Sequence, residues 1–164
     1  MTTQNAEPIR VVFLHGYESS PKGQKVRHLK NAGLDVIAPW LDRDSWDHSV
    51  TAARHTISVY NPDVIIGSSR GAAVAMATNT RLPTVLIAPA WRTWCPWATP
   101  RGDTIILHSW SDTVVPYADS EMLSRESGGM LIECGINHRM NDEEALRLML
   151  NAVKMQHAKR QGDV

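Results

Sequence analysis

The chain has 164 residues, 43% of them apolar, and its 17 Lys and Arg balance 17 Asp and Glu. That length suits a single domain spanning 1–164, able to bury roughly 70% of the surface its unfolded chain exposes. A neutral balance, with no basic stretch interleaved with aromatics, gives no electrostatic footing to a nucleic acid or an acidic membrane, and the apolar runs are strand-sized, too short to span a bilayer.

The polar start, MTTQNAEPIR, lacks the apolar segment of a secretory signal, which predicts a cytoplasmic protein with an ordered core over about 9–156 and frayed ends over about 1–8 and 157–164. The first predicted strand is IRVVFLHG (9–16). A helix follows, with Ser20-Pro21 as cap and first residue and Gly33 as its stop. After the strand LDVIAP (34–39) the apolar residues Trp46, Val50, Ala53, Ile57 and Tyr60 recur at steps of 4, 3, 4 and 3, one face of a helix that Asp44 or Ser45 caps and Asn61-Pro62 ends. Further strands are PDVIIGSS (62–69), PTVLIAPA (83–90), DTIILHS (103–109) and GMLIECG (129–135). Asn141 and Glu144 suggest a capping box for a last helix through Leu146, Met149 and Val153. Strands apolar nearly throughout, alternating with helices, predict an α/β fold in which a parallel sheet is covered on both faces. Chemistry in such sheets lies in the loops after the strands.

After the third strand comes Gly67-Ser68-Ser69-Arg70-Gly71, a G-x-S-x-G pattern between a strand and a helix. Glycines on either side allow a turn tight enough to expose Ser69 at the top of the sheet and aim the Arg70 N–H at a developing oxyanion. A serine nucleophile needs a base, because its hydroxyl is scarcely ionised at neutral pH. Of seven histidines, His28, His48, His55 and His157 fall in helical stretches, and His108 falls inside a strand, where it reads as a packing residue. His138, in the loop after the last strand, is placed to be the base, and Asp112, after the fifth strand, to orient it. No Cys/His cluster has zinc spacing, and Cys95 and Cys134 form no disulfide framework, so no metal or cofactor is expected.

With Ser69, Asp112 and His138 in this order, the chain resembles the α/β-hydrolase superfamily over roughly 10–155. FLHGYESSPKG is similar to its oxyanion loop, GSSRG to its nucleophile elbow, SDTVVP to its acid loop and GINHRM to its histidine loop. More narrowly, it resembles the small lidless bacterial serine esterases. It implies Ser69 as nucleophile, His138 as base, Asp112 as orienting acid, and an oxyanion hole from the N–H groups of Tyr17 and Arg70. The family's usual first two strands have no room before Ile9, so the expected sheet is doubly wound, six-stranded and parallel in the order 2-1-3-4-5-6. Only WRTWCPWATPRG stands where many members insert a cap domain, so none is expected here.

Six tryptophans lie at or just after the carboxyl ends of the predicted strands. Trp40, Trp91, Trp94, Trp97 and Trp110 are candidates for an aromatic-walled substrate site; alternatives are packing over a small sheet, or an exposed face that binds a partner or closes a homodimer. Arg70 needs its own explanation, since a cation at a helix N-terminus opposes the helix dipole. Glu18, Asp42 or Asp44 is expected to pair with it, the alternative being that it binds a substrate carboxylate; His15 is expected to pack the loop. The reading favoured is a serine hydrolase of small esters or thioesters acting through an acyl-enzyme. Its rivals are a peptidase or acyltransferase with the same triad, or a non-catalytic binding protein on a hydrolase scaffold.

Overall fold

The computed structural model describes residues 6–162. Six strands form one sheet in the order β2-β1-β3-β4-β5-β6, every neighbouring pair parallel. They are β1 (Arg10–Leu14), β2 (Asp35–Ile37), β3 (Val64–Ser68), β4 (Thr84–Ile87), β5 (Ile105–His108) and β6 (Met130–Glu133). The helices between and after them are α1 (Gln24–Asn31), α2 (Trp46–Tyr60), α3 (Arg70–Ala77), the single turn α4 (Trp91–Trp94), α5 (Tyr117–Ser127) and α6 (Glu143–Gln161).

The strands are apolar along their length because both faces are covered. Val11, Phe13, Ile66, Ile87 and Leu107 point to one side and pack with α1 and α6; Val12, Leu14, Ile65, Leu86 and Ile106 point to the other and pack with α2, α3 and α5. Period-two alternation thus divides one run of Val and Ile between two cores.

Element ends depart from the sequence pattern in instructive ways. Helix α1 starts at Gln24 with Gly23 as its cap residue, and Pro21 lies in the turn before it. Helix α6 is capped by Asp142, which accepts from the Ala145 N–H, one residue beyond the expected Asn141. Of the ends expected to fray, residues 157–161 complete α6, whereas 1–5 and 163–164 lie outside the described residues. Helix α2 keeps its predicted start, the Ser45 side chain accepting from the His48 N–H, and ends at Asn61 in the left-handed conformation. Among the described residues, no helix is long and apolar enough to cross a membrane.

Strand order reverses direction at β1, between β2 and β3, and the loops leaving β1 and β3 meet at that point. Leu14 is in register with Gly67, and Gly16 lies against Ser69, so that a Cβ on Gly16 would sit 3.4 Å from the Ser68 carbonyl and 3.5 Å from the Ser69 Cβ. A crevice at the switch in strand order is where open α/β sheets place their ligands.

Candidate active site

Ser69 links β3 to α3 with φ 54° and ψ −117°, a conformation that side chains rarely adopt. It is held there by hydrogen bonds on both sides of its peptide: its N–H donates to the Ile87 carbonyl at 2.8 Å, and its carbonyl accepts from Ala72 at 3.1 Å and Ala90 at 3.2 Å. The sharp turn projects the hydroxyl beyond the sheet edge. There the Ser69 Oγ is 2.9 Å from Nε2 of His138, whose Nδ1 is 2.7 Å from Oδ2 of Asp112. The structure therefore brings together, in one hydrogen-bonded line, three residues that arrive from the ends of β3, β5 and β6.

Each partner is fixed locally. Asp112 is fully buried at its side chain, and its Oδ1 accepts from the backbone N–H groups of Val114 at 2.7 Å and Val115 at 2.9 Å. Burial by itself would raise its pKa; the hydrogen bonds from His138, Val115, Val114 and His108 outweigh it and hold the carboxyl below its ordinary range. The carboxylate accepts from Nδ1–H of His138, which leaves Nε2 to accept the Ser69 proton. The Ser109 hydroxyl joins the acid loop to the histidine loop by donating to the Gly135 carbonyl at 3.0 Å. From the other side, the Lys25 ammonium of α1 donates to the Arg139 carbonyl and, at 2.9 Å, to Oδ1 of Asn141. Burial brings the Lys25 pKa down to about 8, with Asp142 partly opposing the shift. Nothing in the sequence beyond its place in α1 pointed to Lys25 as a brace for the histidine loop.

The loop after β1 supplies Tyr17. Among the described residues the Tyr17 N–H donates to no backbone carbonyl, and Arg70, the first residue of α3, stands at the helix end whose N–H groups have no partner within the helix. His15 sets the Tyr17 amide. Its Nδ1 lies 2.8 Å from the Gly16 carbonyl and must donate, while its Nε2 accepts from the Leu41 N–H at 3.0 Å. The Gly16 carbonyl belongs to the same planar peptide as the Tyr17 N–H, so anchoring one directs the other. The expected loop-packing role of His15 thus takes a specific form.

Arg70 differs from expectation. It is 1% exposed, yet no carboxylate among the described residues lies within ion-pair distance. Its guanidinium donates to the Asp42 carbonyl at 2.8 Å and the Ser49 hydroxyl at 3.1 Å, and lies 4.8 Å above the ring of Trp94 and 5.7 Å from that of Trp46. The Asp42 carboxylate is turned the other way, accepting from the Asp44 N–H at 2.9 Å. The Asp42 carbonyl, the Ser49 hydroxyl and two aromatic faces, rather than Glu18, Asp42 or Asp44 carboxylates, surround the cation, and its buried Nε has no partner.

A cavity of about 670 Å³ opens beside Ser69 and His138. Its walls include Tyr17, Glu18, Gln24, Lys25 and Val114, and none of the tryptophans. The five candidates lie elsewhere: Trp91 is buried with its indole N–H on the Asp119 carbonyl at 3.0 Å, and Trp94 is stacked between Trp46 and Tyr17. Trp40 (55% exposed), Trp97 (71%) and Trp110 (68%) present most of their surface to solvent. Trp40 leans on His15 and Trp110 on Tyr117. The expected aromatic wall is therefore replaced at the cavity by the polar segment after β1. Among the described residues, no group of three His, Cys, Asp or Glu could hold a metal ion.

No protein-family model matches the chain, and no curated protein matches it in sequence. Solved structures do match. Est1E from Butyrivibrio proteoclasticus superposes with a TM-score of 0.71 at 16% identity, covering 96% of this chain and 90% of that one. Mouse alpha/beta hydrolase domain-containing protein 10 gives 0.69 at 14% identity, with 92% and 90% covered. The chain has the α/β-hydrolase fold. The ydeN gene product from B. subtilis, with a TM-score of 0.65 at 12% identity, is covered over 99% of its length by 92% of this chain. This α/β-hydrolase fold is small: between β4 and β5 stand only the turn α4 and a short loop, with no cap domain.

Two buried histidines of the site predict an acid-labile fold. Desolvation lowers the pKa of both His15 and His108, the hydrogen bonds each makes only partly opposing it. Each is protonated more readily in the unfolded chain, whose imidazole value is about 6.5. Stability is therefore lost as pH falls below about 6.5, and the depressed Asp112 adds a further loss at lower pH. Melting temperature measured from pH 8 to pH 4 should fall on the acid side; a flat or rising profile contradicts the neutral assignment of these rings.

Proposed function

We propose that the chain is a serine hydrolase that cleaves small carboxylic esters or thioesters through an acyl-enzyme. The observation that carries the reading is the line from Ser69 Oγ through both nitrogens of His138 to the buried Asp112, at a cavity that Ser69, His138 and Tyr17 line. Ser69 Oγ attacks the substrate carbonyl as Nε2 of His138 takes its proton. Negative charge then builds on the carbonyl oxygen, where the Tyr17 and Arg70 N–H groups stabilise it. Collapse of the tetrahedral adduct breaks the bond to the alcohol or thiol, which leaves with the proton from Nε2. Water next gives its proton to Nε2 and attacks the acyl group, and the returning proton restores the Ser69 hydroxyl as the carboxylic acid departs. Asp112 stays ionised throughout and steadies the imidazolium.

A p-nitrophenyl ester series tests the reading. With no cap to enclose a long chain, each methylene that reaches the cavity gains about 0.8 kcal/mol and those projecting into water gain little. Specificity, as kcat/KM, should therefore peak at short acyl chains, about two to six carbons, and show no jump when micelles form. Absence of hydrolysis across the series, or a steady increase to long chains with interfacial activation, would contradict it.

A further inference from the structure

The serine–histidine–aspartate line does not end at the aspartate. His108, the last residue of β5, has no exposed surface, and its Nε2 lies 2.9 Å from Asp112 Oδ2, the oxygen that also faces His138. Its Nδ1 lies 2.7 Å from the hydroxyl of Ser120, itself buried on α5. We propose that His108 is a positioning residue of the hydrolase, a second imidazole that donates to the shared Asp112 oxygen and fixes both the direction and the charge density of the carboxylate that orients His138.

The partners settle the tautomer. A carboxylate can only accept, so Nε2 carries the proton; Nδ1 is then a lone pair, which the Ser120 hydroxyl fills as donor. Burial disfavours a second proton on this ring, consistent with its lowered pKa. Asp112 thereby receives four hydrogen bonds, two at each oxygen, and cannot rotate without breaking several at once. A packing role would require none of this, since a leucine at the end of β5 would fill the space. The donated N–H also disperses charge from Oδ2. Without it, Asp112 would attract the imidazolium form of His138 more strongly and hold the base protonated to higher pH.

The inference rests on the hydrolase reading, and its test separates the two. His108→Leu removes the donor, whereas His108→Gln keeps an uncharged N–H near the position of Nε2. On a short-chain p-nitrophenyl ester, His108→Leu should lower kcat about 10- to 100-fold, the change corresponding to one charge-assisted hydrogen bond, with KM little altered. The acid limb of its pH–rate profile should move to higher pH, while His108→Gln should keep the wild-type limb and most of kcat. Other charged or titratable groups nearby are Tyr117, whose ring packs against His108, with Glu121, Glu133 and Cys134 close to Tyr117, and Glu18, Lys25 and Arg139 at the cavity. Both variants retain them all, so a moved limb reports on Asp112. Nitrogen NMR of the unaltered protein should find the His108 proton on Nε2 at neutral pH, a measurement that needs no variant and no activity. A folded His108→Leu protein with wild-type kcat and an unmoved acid limb overturns the proposal, as does a His108 ring protonated on Nδ1, or a His108→Gln protein as impaired as His108→Leu. A wild-type chain inactive on every ester overturns the hydrolase reading instead, and the ring assignment then still decides the hydrogen-bond network.

Discussion

Alanine in place of Ser69 or of His138 is expected to lower kcat for ester hydrolysis by up to about 10⁶, and the double variant to be little worse than either. On the proposed mechanism the two act as one unit. Without the Ser69 hydroxyl there is no acyl acceptor, and without Nε2 of His138, 2.9 Å away, no group takes the serine proton. On the same mechanism, residual hydrolysis would come from the Tyr17 and Arg70 N–H groups stabilising water's attack, which neither change removes. Both residues are at the surface end of the site, so melting temperature should stay close to wild type and the loss should be read in kcat alone. Multiplicative effects of the two changes, or near-full activity of Ser69→Ala, would show that they do not share a step.

The second large effect falls on folding. In Gly71→Ala, the added Cβ would lie 2.0 Å from the Leu14 carbonyl oxygen and 2.6 Å from that of His15. Both are backbone atoms at the end of β1, and neither can swing aside as a flexible side chain would. The first turn of α3 must lift off the strand, or β1 must shift, at a cost of about 3 kcal/mol or more. For a chain of this size that lowers the melting temperature by roughly 6–12 °C. Gly16→Ala, whose Cβ would meet neighbours at ordinary contact distances of 3.4 and 3.5 Å, should leave the melting temperature almost unchanged. Equal stability of the two variants would mean that the close approach of α3 to β1 is not what the glycine serves.

Much of this architecture is legible in the sequence because it depends on periodicity and punctuation. Six apolar runs separated by helical faces give six strands, and the residues at their carboxyl ends are brought to one edge by the parallel arrangement alone. Hence Ser69, Asp112 and His138, far apart in the chain, could be placed together before any coordinates. What could not be read is direction. His108 lies inside a strand and looks like a core residue; only its position as the last residue of β5 turns its ring toward the acid loop, where Asp112 folds back to meet it. The tryptophans occupy loops and first helical turns at the expected edge, but such a segment can turn its side chains outward or beneath itself, and Trp97 and Trp91 do one each. For Arg70 the expected partners, Glu18 in the loop after β1 and Asp42 or Asp44 in the loop after β2, are carboxylates, yet it is the carbonyl of Asp42 that faces the guanidinium while the Asp42 carboxylate caps a turn. Spacing locates a residue. It does not say which of its oxygens points inward.

If Ser69 is an activated nucleophile, treating the intact protein with a fluorophosphonate probe should modify it, and peptide mass spectrometry maps the adduct. The expected result is a single covalent adduct at Ser69, absent in Ser69→Ala and strongly slowed in His138→Ala, where the proton of the hydroxyl has no acceptor. An unmodified Ser69 under conditions that label other serine hydrolases, or equal labelling of the neighbouring Ser68, would contradict it.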